Sequence, residues 1–356
     1  MKGLVLSGGT GTRLRPFTYS MPKQLMPVAN KPVLHYCLEN LRDLGVTSVG
    51  VIVGERVGQV EQAIGDGADL GLEITYLFQE APLGLAHCVT VAEQFLADDD
   101  FVMYLGDNML IGDLAGAARD FTERRPAAKV LVTKVDDPQH YGVAELDSEG
   151  RVVSLAEKPE QPRSDLAMMG VYFFSPAIHE AVRRVRPSAR GELEITDAVQ
   201  HLLDSGQDVT AEIYQGYWAD TGGVKALLEC NRVVLDGLVD DVRGRVDQSS
   251  VVKGPVAVGA GSEIVASHLE GPLTIGAGCV IRHARIGPHT AVGQNCLIEN
   301  TDVQESIVLE NVQVEGVRGV RDSVIGKGAR VQGIARDVES QCLLLGDQTS
   351  IQVRSA

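Results

Sequence analysis

The sequence lacks the marks of several large protein classes. Its six cysteines, Cys37, Cys88, Cys230, Cys279, Cys296 and Cys342, are scattered and include no C-x-x-C pair. That is the pattern neither of a zinc site nor of a disulfide framework, and a reducing, cytoplasmic setting is expected. No apolar stretch approaches the length of a membrane-crossing helix. The first residues enter an apparent strand, without the basic region, apolar core and small-residue cleavage site of a signal peptide. Membrane partners are therefore not expected. Basic charge is also scarce: 32 Lys and Arg stand against 48 Asp and Glu, for a net charge of -16. A nucleic-acid binder would show a basic patch or stripe, so no nucleic-acid partner is expected either.

Two common phosphate motifs are missing as well. No Gly-Lys-Ser/Thr completes a P-loop in the opening stretch. A dinucleotide fingerprint fails because Leu14 stands where the third glycine of Gly9-Thr-Gly11-Thr-Arg13-Leu14 should be.

What is present begins at once. An apolar run from Lys2 leads into Ser7-Gly8-Gly9-Thr10-Gly11-Thr12-Arg13-Leu14-Arg15-Pro16, then Pro22-Lys23-Gln24-Leu25-Met26-Pro27 and Asn30-Lys31-Pro32. Glycines without a Cβ tolerate positive φ and let backbone N–H groups approach a phosphate. Arg13, at the end of the loop, and Lys23, held between prolines, add fixed cations. Loop amides with two cations suit a polyphosphate.

At 356 residues with 44% hydrophobic content, the chain is long enough for two domains and a sizeable core. Up to about Leu235, apolar runs alternate with helical patterns. Helices are predicted over Val33–Leu44, Val57–Ile64 and Gly84–Leu96, and strands over Ser48–Val53, Glu73–Phe78 and Phe101–Leu105. Alternation of this kind predicts βαβ units and a Rossmann-like, mostly parallel sheet, with ligands at the C-terminal ends of strands. From about Val251 the helical period is lost. Aliphatics recur at six-residue intervals (Val258 and Ile264; Ile275 and Ile281; Ile286, Val292 and Ile298; Ile325 and Val331), often followed by glycine. This is the period of a parallel β-helix. A β-sandwich with glycine turns is the alternative. The pattern is broken between Ile298 and Ile325, where an irregular coil or loop is expected. The predicted division is 1–237, a linker at 238–250, and 251–356.

Further motifs fall at strand ends. Leu105-Gly106-Asp107-Asn108 follows a strand, and Tyr217-Trp218-Ala219-Asp220-Thr221-Gly222 has the same character. Two carboxylates on separate strand ends can share one Mg²⁺, although a strand-end Asp also commonly caps a turn. Tyr141-Gly142-Val143 sets an aromatic beside a glycine where a sugar could approach. Glu157-Lys158-Pro159 offers an acceptor and a cation, or merely a solvated pair. Arg190-Gly191-Glu192-Leu193-Glu194 offers another cation, or a charge cluster at a helix start. In Gln79-Glu80-Ala81-Pro82-Leu83-Gly84, the Gln79 amide can both donate and accept, matching the imide edge of thymine or uracil.

Taken in order, G-G-x-G-T-R-L-x-P, P-K-Q-L-x-P-V, G-D-N, Y-G-V, E-K-P, R-G-E-L-E-I-T-D and W-x-D-T-G resemble the sugar-nucleotidyltransferases, within them the glucose-1-phosphate thymidylyltransferases. The resemblance covers about Met1 to Leu235. The tail resembles the left-handed β-helix of hexapeptide repeats, as in the long form found with antibiotic-sugar pathways. Gln24 agrees with the thymidylyl branch, since guanylyltransferase-like sequences usually read Lys-Pro-Leu. Leu83 departs from it, standing where a polar residue is usual.

The resemblance implies dTTP and glucose 1-phosphate as substrates and Mg²⁺ as cofactor. It implies nucleotide contacts from Gly8, Gly9, Gly11, Thr12, Arg13, Lys23, Gln79 and Gly84. It assigns the sugar phosphate to Tyr141, Gly142, Glu157, Lys158, Arg190 and Trp218, and the metal to Asp107 and Asp220. Arg13, Lys23, Asp107 and Lys158 would carry the catalysis. Rival readings are the same fold using UTP or another sugar phosphate, a non-catalytic nucleotide-sugar sensor, and a tail with acyl-transfer activity. His268, His283 and His289 in the tail read better as surface or corner residues, because no acyltransferase loop accompanies them. A homo-oligomer is expected, since stacked coils need caps or partners.

Overall fold

The computed structural model describes residues 1–333 and 342–353. By its contacts the chain divides into two compact units: residues 1–9 with 34–219, and residues 10–33 with 220–356. No helix among the described residues is long and apolar enough to cross a membrane.

The first unit is built on a nine-stranded sheet. Lys2–Leu6 lies in its middle, parallel to Ser48–Val53 on one side and to Phe101–Leu105 on the other. Leu4 and Val5 are fully buried, which explains the continuous apolar run: both faces of this strand are covered. Glu73–Phe78 extends the parallel part beside Ser48–Val53. Beyond Phe101–Leu105 the sheet changes sense, because Leu166–Phe174 pairs antiparallel with it and with Ala128–Lys134. The sheet is thus parallel where the βαβ pattern predicts it and mixed beyond. Helices appear at Val33–Asp43 and Val57–Ile64 as expected. The single helix predicted over Gly84–Leu96 is two, Leu85–Val91 and Glu93–Leu96, meeting at Ala92. Phe101, Met103, Val130 and Phe174 lie in the buried core of this unit.

The second unit carries the tail. Three parallel sheets wind around a common core, the arrangement of a parallel β-helix. The stretch 238–250, expected as a linker, already contains Asp241–Val242 and Arg245–Val246. These strands pair with Val256–Val258 and Glu263–Val265 and so begin the stack. Between Ile298 and Ile325 the stack continues through an irregular coil: Ile298 pairs with Val314 and Ile307 with Val324, while the sheet that contains Asp302–Val303 goes on only as an isolated bridge from Val303 to Val320. The period is hidden there for a physical reason. Val256 pairs with Leu273 and Leu273 with Thr290, seventeen residues per turn rather than three times six, while Val292 pairs with Val308 and Ile298 with Val314, sixteen per turn. One or two faces of a turn are therefore reached in five residues, and Leu269, Val303, Val308 and Val314, all buried, fall outside a strict six-residue count. His283 and His289 sit at left-handed turn positions, with φ of 49° and 56°, in keeping with their reading as corner residues.

The same unit contains the Pro27–Val28 and Lys31–Pro32 hairpin and the helix Val224–Asp236. Asn231 of that helix accepts from the Ala29 N–H at 2.9 Å and donates to the His289 carbonyl at 2.8 Å. Asn30 donates to the Val292 carbonyl at 2.7 Å. Ser20 donates to the Asp347 carboxylate, and Pro16 lies against Gly346. The segment after the glycine loop is thereby fastened to the coils.

Ile281 is fully buried among the stacked aliphatics. Ile281→Ala should destabilise the tail by about 2–5 kcal/mol, the usual effect of truncating a buried aliphatic and leaving a cavity. Denaturant unfolding of the two proteins measures it, and an unchanged midpoint would place Ile281 outside the cooperative core.

Candidate active site

In the second unit the glycine loop is arranged around Gly11. Its φ is 60°, and a Cβ there would come 2.8 Å from Thr18 Cγ2 and 3.2 Å from Lys23 Cβ. Thr18 donates to the Gly11 carbonyl at 2.8 Å, and a 3-10 turn over Thr12–Leu14 follows. Gly9 also has positive φ, 98°, so the glycines serve the sharp path of the loop. Lys23 opens a second 3-10 turn, over Lys23–Leu25, after Pro22.

Arg13 and Asp220 meet directly. An Arg13 guanidinium nitrogen lies 2.9 Å from Asp220 Oδ2, and the Gly222 N–H donates to Oδ1 at 2.8 Å. A Cβ on Gly222 would sit 2.4 Å from that guanidinium, which explains the glycine closing the W-A-D-T-G string. A cation and a carboxylate, predicted to serve phosphate and metal separately, are thus a pair.

The first unit holds the remaining residues. Glu157 ends the strand Val152–Glu157, and Thr196 donates to its Oε2 at 2.6 Å. A Cβ on Gly142 would stand 2.5 Å from Met168 Cε, 2.8 Å from Thr196 Oγ1 and 3.0 Å from Glu157 Oε2, so the Y-G-V glycine makes room for this carboxylate. Burial pushes the Glu157 carboxyl up, while the Thr196 hydrogen bond pulls it back. Lys158 adopts φ of 42°, and its N–H donates to the Tyr141 carbonyl at 2.9 Å. That bond joins the Y-G-V and E-K-P strings.

Arg190 is surrounded by carboxylates. It contacts both oxygens of Glu194 at 2.9 Å, Glu192 at 3.0 Å and Glu157 at 3.4 Å. Desolvation works against its charge, but these carboxylates, Glu194 foremost, hold its pKa above the usual guanidinium value. The charge cluster that the sequence offered as the other reading of Arg190, Glu192 and Glu194 is formed, whereas Thr196 as the partner of Glu157 was missed, although it stands in the quoted R-G-E-L-E-I-T-D string.

Trp218 is anchored rather than loose. Its indole N–H donates to Asn108 Oδ1 at 2.8 Å and to the Met169 carbonyl at 2.9 Å, and its ring meets Tyr141 edge-on at 5.5 Å between centroids. What it can still offer a ligand is apolar ring surface. Asn108 thereby acquires a role that the Asp-Asn pair did not suggest, tying the residue after Asp107 to the Y-W-A-D strand. Asp107 is buried, 8% exposed. Gly84 differs from expectation in what it admits. A Cβ there would meet the Leu193 carbonyl oxygen at 2.4 Å, so the close approach is by protein backbone. Gln79, before it, contacts His87 at 2.9 Å.

Comparison with known proteins shows the family. Residues 2–237 match the family model described as nucleotidyl transferase. The chain belongs to the nucleotidyl transferase family. It is 51% identical over 356 residues to glucose-1-phosphate thymidylyltransferase of Streptomyces antibioticus, with all of both chains covered. It is 48% identical over 372 residues to the Streptomyces griseus protein of the same name, again with both chains fully covered. Among solved structures, a Bacillus anthracis protein assigned as a glucose-1-phosphate thymidylyltransferase, in complex with a sucrose, matches with a TM-score of 0.62 and 35% identity. That match covers 65% of this chain and 94% of the other. In this family member, the polar cluster of the first unit is a carboxylate held by a hydroxyl and a guanidinium. The cluster of the second unit is a glycine loop with a guanidinium held by a carboxylate.

Gly142→Ala would force a methyl group into Met168, Thr196 and Glu157. We expect a loss of about 1–3 kcal/mol from overpacking, together with weakened binding of any ligand that uses Glu157. Thermal melting paired with ligand titration checks this. A variant with unchanged melting temperature and affinity would show that the glycine is not needed for space.

Proposed function

We propose that the protein joins dTTP and α-D-glucose 1-phosphate to give dTDP-glucose and pyrophosphate. The observation that carries this reading is the Glu157–Thr196–Arg190 cluster beside Gly142: an ionisable acceptor for sugar hydroxyls, with Lys158 adjacent in the chain. Full-length likeness to proteins named for this reaction supports it. The ionised phosphate of the sugar attacks the α-phosphorus in line and pyrophosphate leaves, so no covalent enzyme intermediate is required. The protein's contribution is positioning and charge stabilisation.

In this reading the loop amides of Gly8, Gly9, Gly11 and Thr12 approach the triphosphate, and Arg13 and Lys23 stabilise it and the departing pyrophosphate. Gln79 faces the base. Tyr141, Gly142, Glu157 and Trp218 form the sugar side, and Lys158 and Arg190 aim the attacking phosphate. Before it can hold a phosphate, Arg190 must turn part of its donor set away from Glu192 and Glu194.

Enzymes of this family generally use a divalent metal. Asp107 and Asp220 are carboxylate donors of the kind a hard cation takes, and they would hold Mg²⁺. When bound, the ion neutralises phosphate charge. The catalytic part is 1–237, and the β-helix serves assembly into a homo-oligomer. A cytoplasmic setting is the reading that the scattered free cysteines and a nucleoside triphosphate substrate support.

Pyrophosphate release over a panel of nucleoside triphosphates and sugar 1-phosphates tests the reaction. dTTP with glucose 1-phosphate should give the highest kcat/KM, and no release with any pair would refute the activity. In the same assay Asp107→Asn should leave the fold intact and lower kcat by about 10²–10³, the typical loss of one charge-stabilising group. Near wild-type kcat at saturating Mg²⁺ would remove Asp107 from the metal site. Light scattering on the intact protein should give a multiple of the 38.1 kDa chain mass. A monomer would sink the assembly role.

A further inference from the structure

His87 stands on the helix Leu85–Val91, which begins where the Gln79–Gly84 loop ends. Its Nδ1 lies 2.9 Å from Gln79 Nε2. Cys88, the next residue, lies 3.5 Å by its Sγ from the Gly84 carbonyl it can donate to. An amide nitrogen only donates, so Nδ1 of His87 is the acceptor in this pair.

The other end of the amide is differently placed. Gln79 is only 8% exposed, and it is the nitrogen end of its amide that is turned to His87. Oε1 lies beside Gly8 of the glycine loop, where a Cβ would be 3.5 Å away. A glutamine held in this way turns its amide nitrogen to the helix and presents Oε1, an acceptor, on the side of the glycine loop. Thymine and uracil carry an N–H at the centre of the imide edge, which such an acceptor takes. Cytosine carries a lone pair there and would meet Oε1 acceptor to acceptor.

We propose that His87 is a positioning residue for base selection: by accepting from Gln79 Nε2 it keeps Oε1 as the acceptor for an imide N–H, and so favours thymine or uracil over cytosine. The inference rests on the reading that Gln79 faces the nucleobase. Leu83, where a polar residue is usual, leaves more of this selection to Gln79.

The test uses the full-length protein with dTTP and UTP as substrates and dCTP as a competing inhibitor. His87→Leu should raise KM for dTTP and UTP about tenfold, the effect of one misdirected hydrogen bond. kcat at saturation should change little, and the ratio of the dCTP inhibition constant to the dTTP KM should fall. His87→Asn, which can present an oxygen near the place of Nδ1, should restore the ratio. His87→Lys presents only donors and should lower it at least as far as leucine.

A wild-type ratio in the leucine and lysine variants, with a collapsed ratio in Gln79→Ala, overturns the role of His87 alone. Unchanged KM and ratio in Gln79→Ala overturns the base reading, and this inference with it. Equal losses for all three nucleotides without rescue by asparagine would mean that His87 only supports the helix, and would also overturn it. Should the leucine variant fail to fold, the asparagine–lysine comparison decides: equal ratios refute the proposal.

Discussion

Much of the first unit's site depends on one backbone approach. The Leu193 N–H donates to the Leu83 carbonyl at 2.7 Å, and the Ala86 N–H donates to the Leu193 carbonyl at 3.0 Å. Only a residue without a Cβ can stand between them, since any side chain at Gly84 would collide with Leu193 at 2.4 Å. This pairing ties the loop that begins at Gln79 to the segment that carries Arg190 and Glu194. Two motifs more than a hundred residues apart are thereby fixed to each other by main-chain bonds, which do not vary with side-chain rotamer.

Around that frame, charge is arranged in matched sets. Arg190 is held by three carboxylates, and Glu194, with a side chain 4% exposed, has Arg190 and Ser188 as hydrogen-bond partners. A buried carboxylate without such partners would be costly. Glu157 is in the opposite position, raised by burial and stabilised mainly by Thr196. In the second unit, Asp220 serves Arg13 with one oxygen and the Gly222 N–H with the other.

The β-helix is stabilised by repetition. Each turn adds a layer of buried aliphatics and a set of parallel backbone bonds to the one below, so each turn depends mainly on its neighbours. The same unit includes residues 10–33, and the bonds from Ala29, Asn30 and Ser20 run into the helix Val224–Asp236 and the coils. The tail therefore has a second effect besides any assembly: it holds the polypeptide that follows the glycine loop.

The alternation of strand and helix, the strand-end position of Asp107 and the repeating character of the tail were legible in the sequence, because each is written in a local period or in adjacent residues. The βαβ pattern required the parallel strands around Lys2–Leu6, and the glycine loop could only be a tight turn. Pairings across long separations were not legible. Arg13 with Asp220, Trp218 with Asn108, and Gly84 with Leu193 have no local signature, since a side chain's partner depends on which strands and loops become neighbours. The length of the turns escaped for a related reason. A five-residue face breaks a six-residue count, and only the register of stacked strands shows that Leu269 and Val303 continue the column of Val252 and Ile286, Val308 that of Val292, and Ile298 that of Ile281. Sequence alone determined which residue types could do the chemistry. Tertiary structure decided which of their atoms are already engaged, because hydrogen-bond capacity is consumed by neighbours that folding brings together.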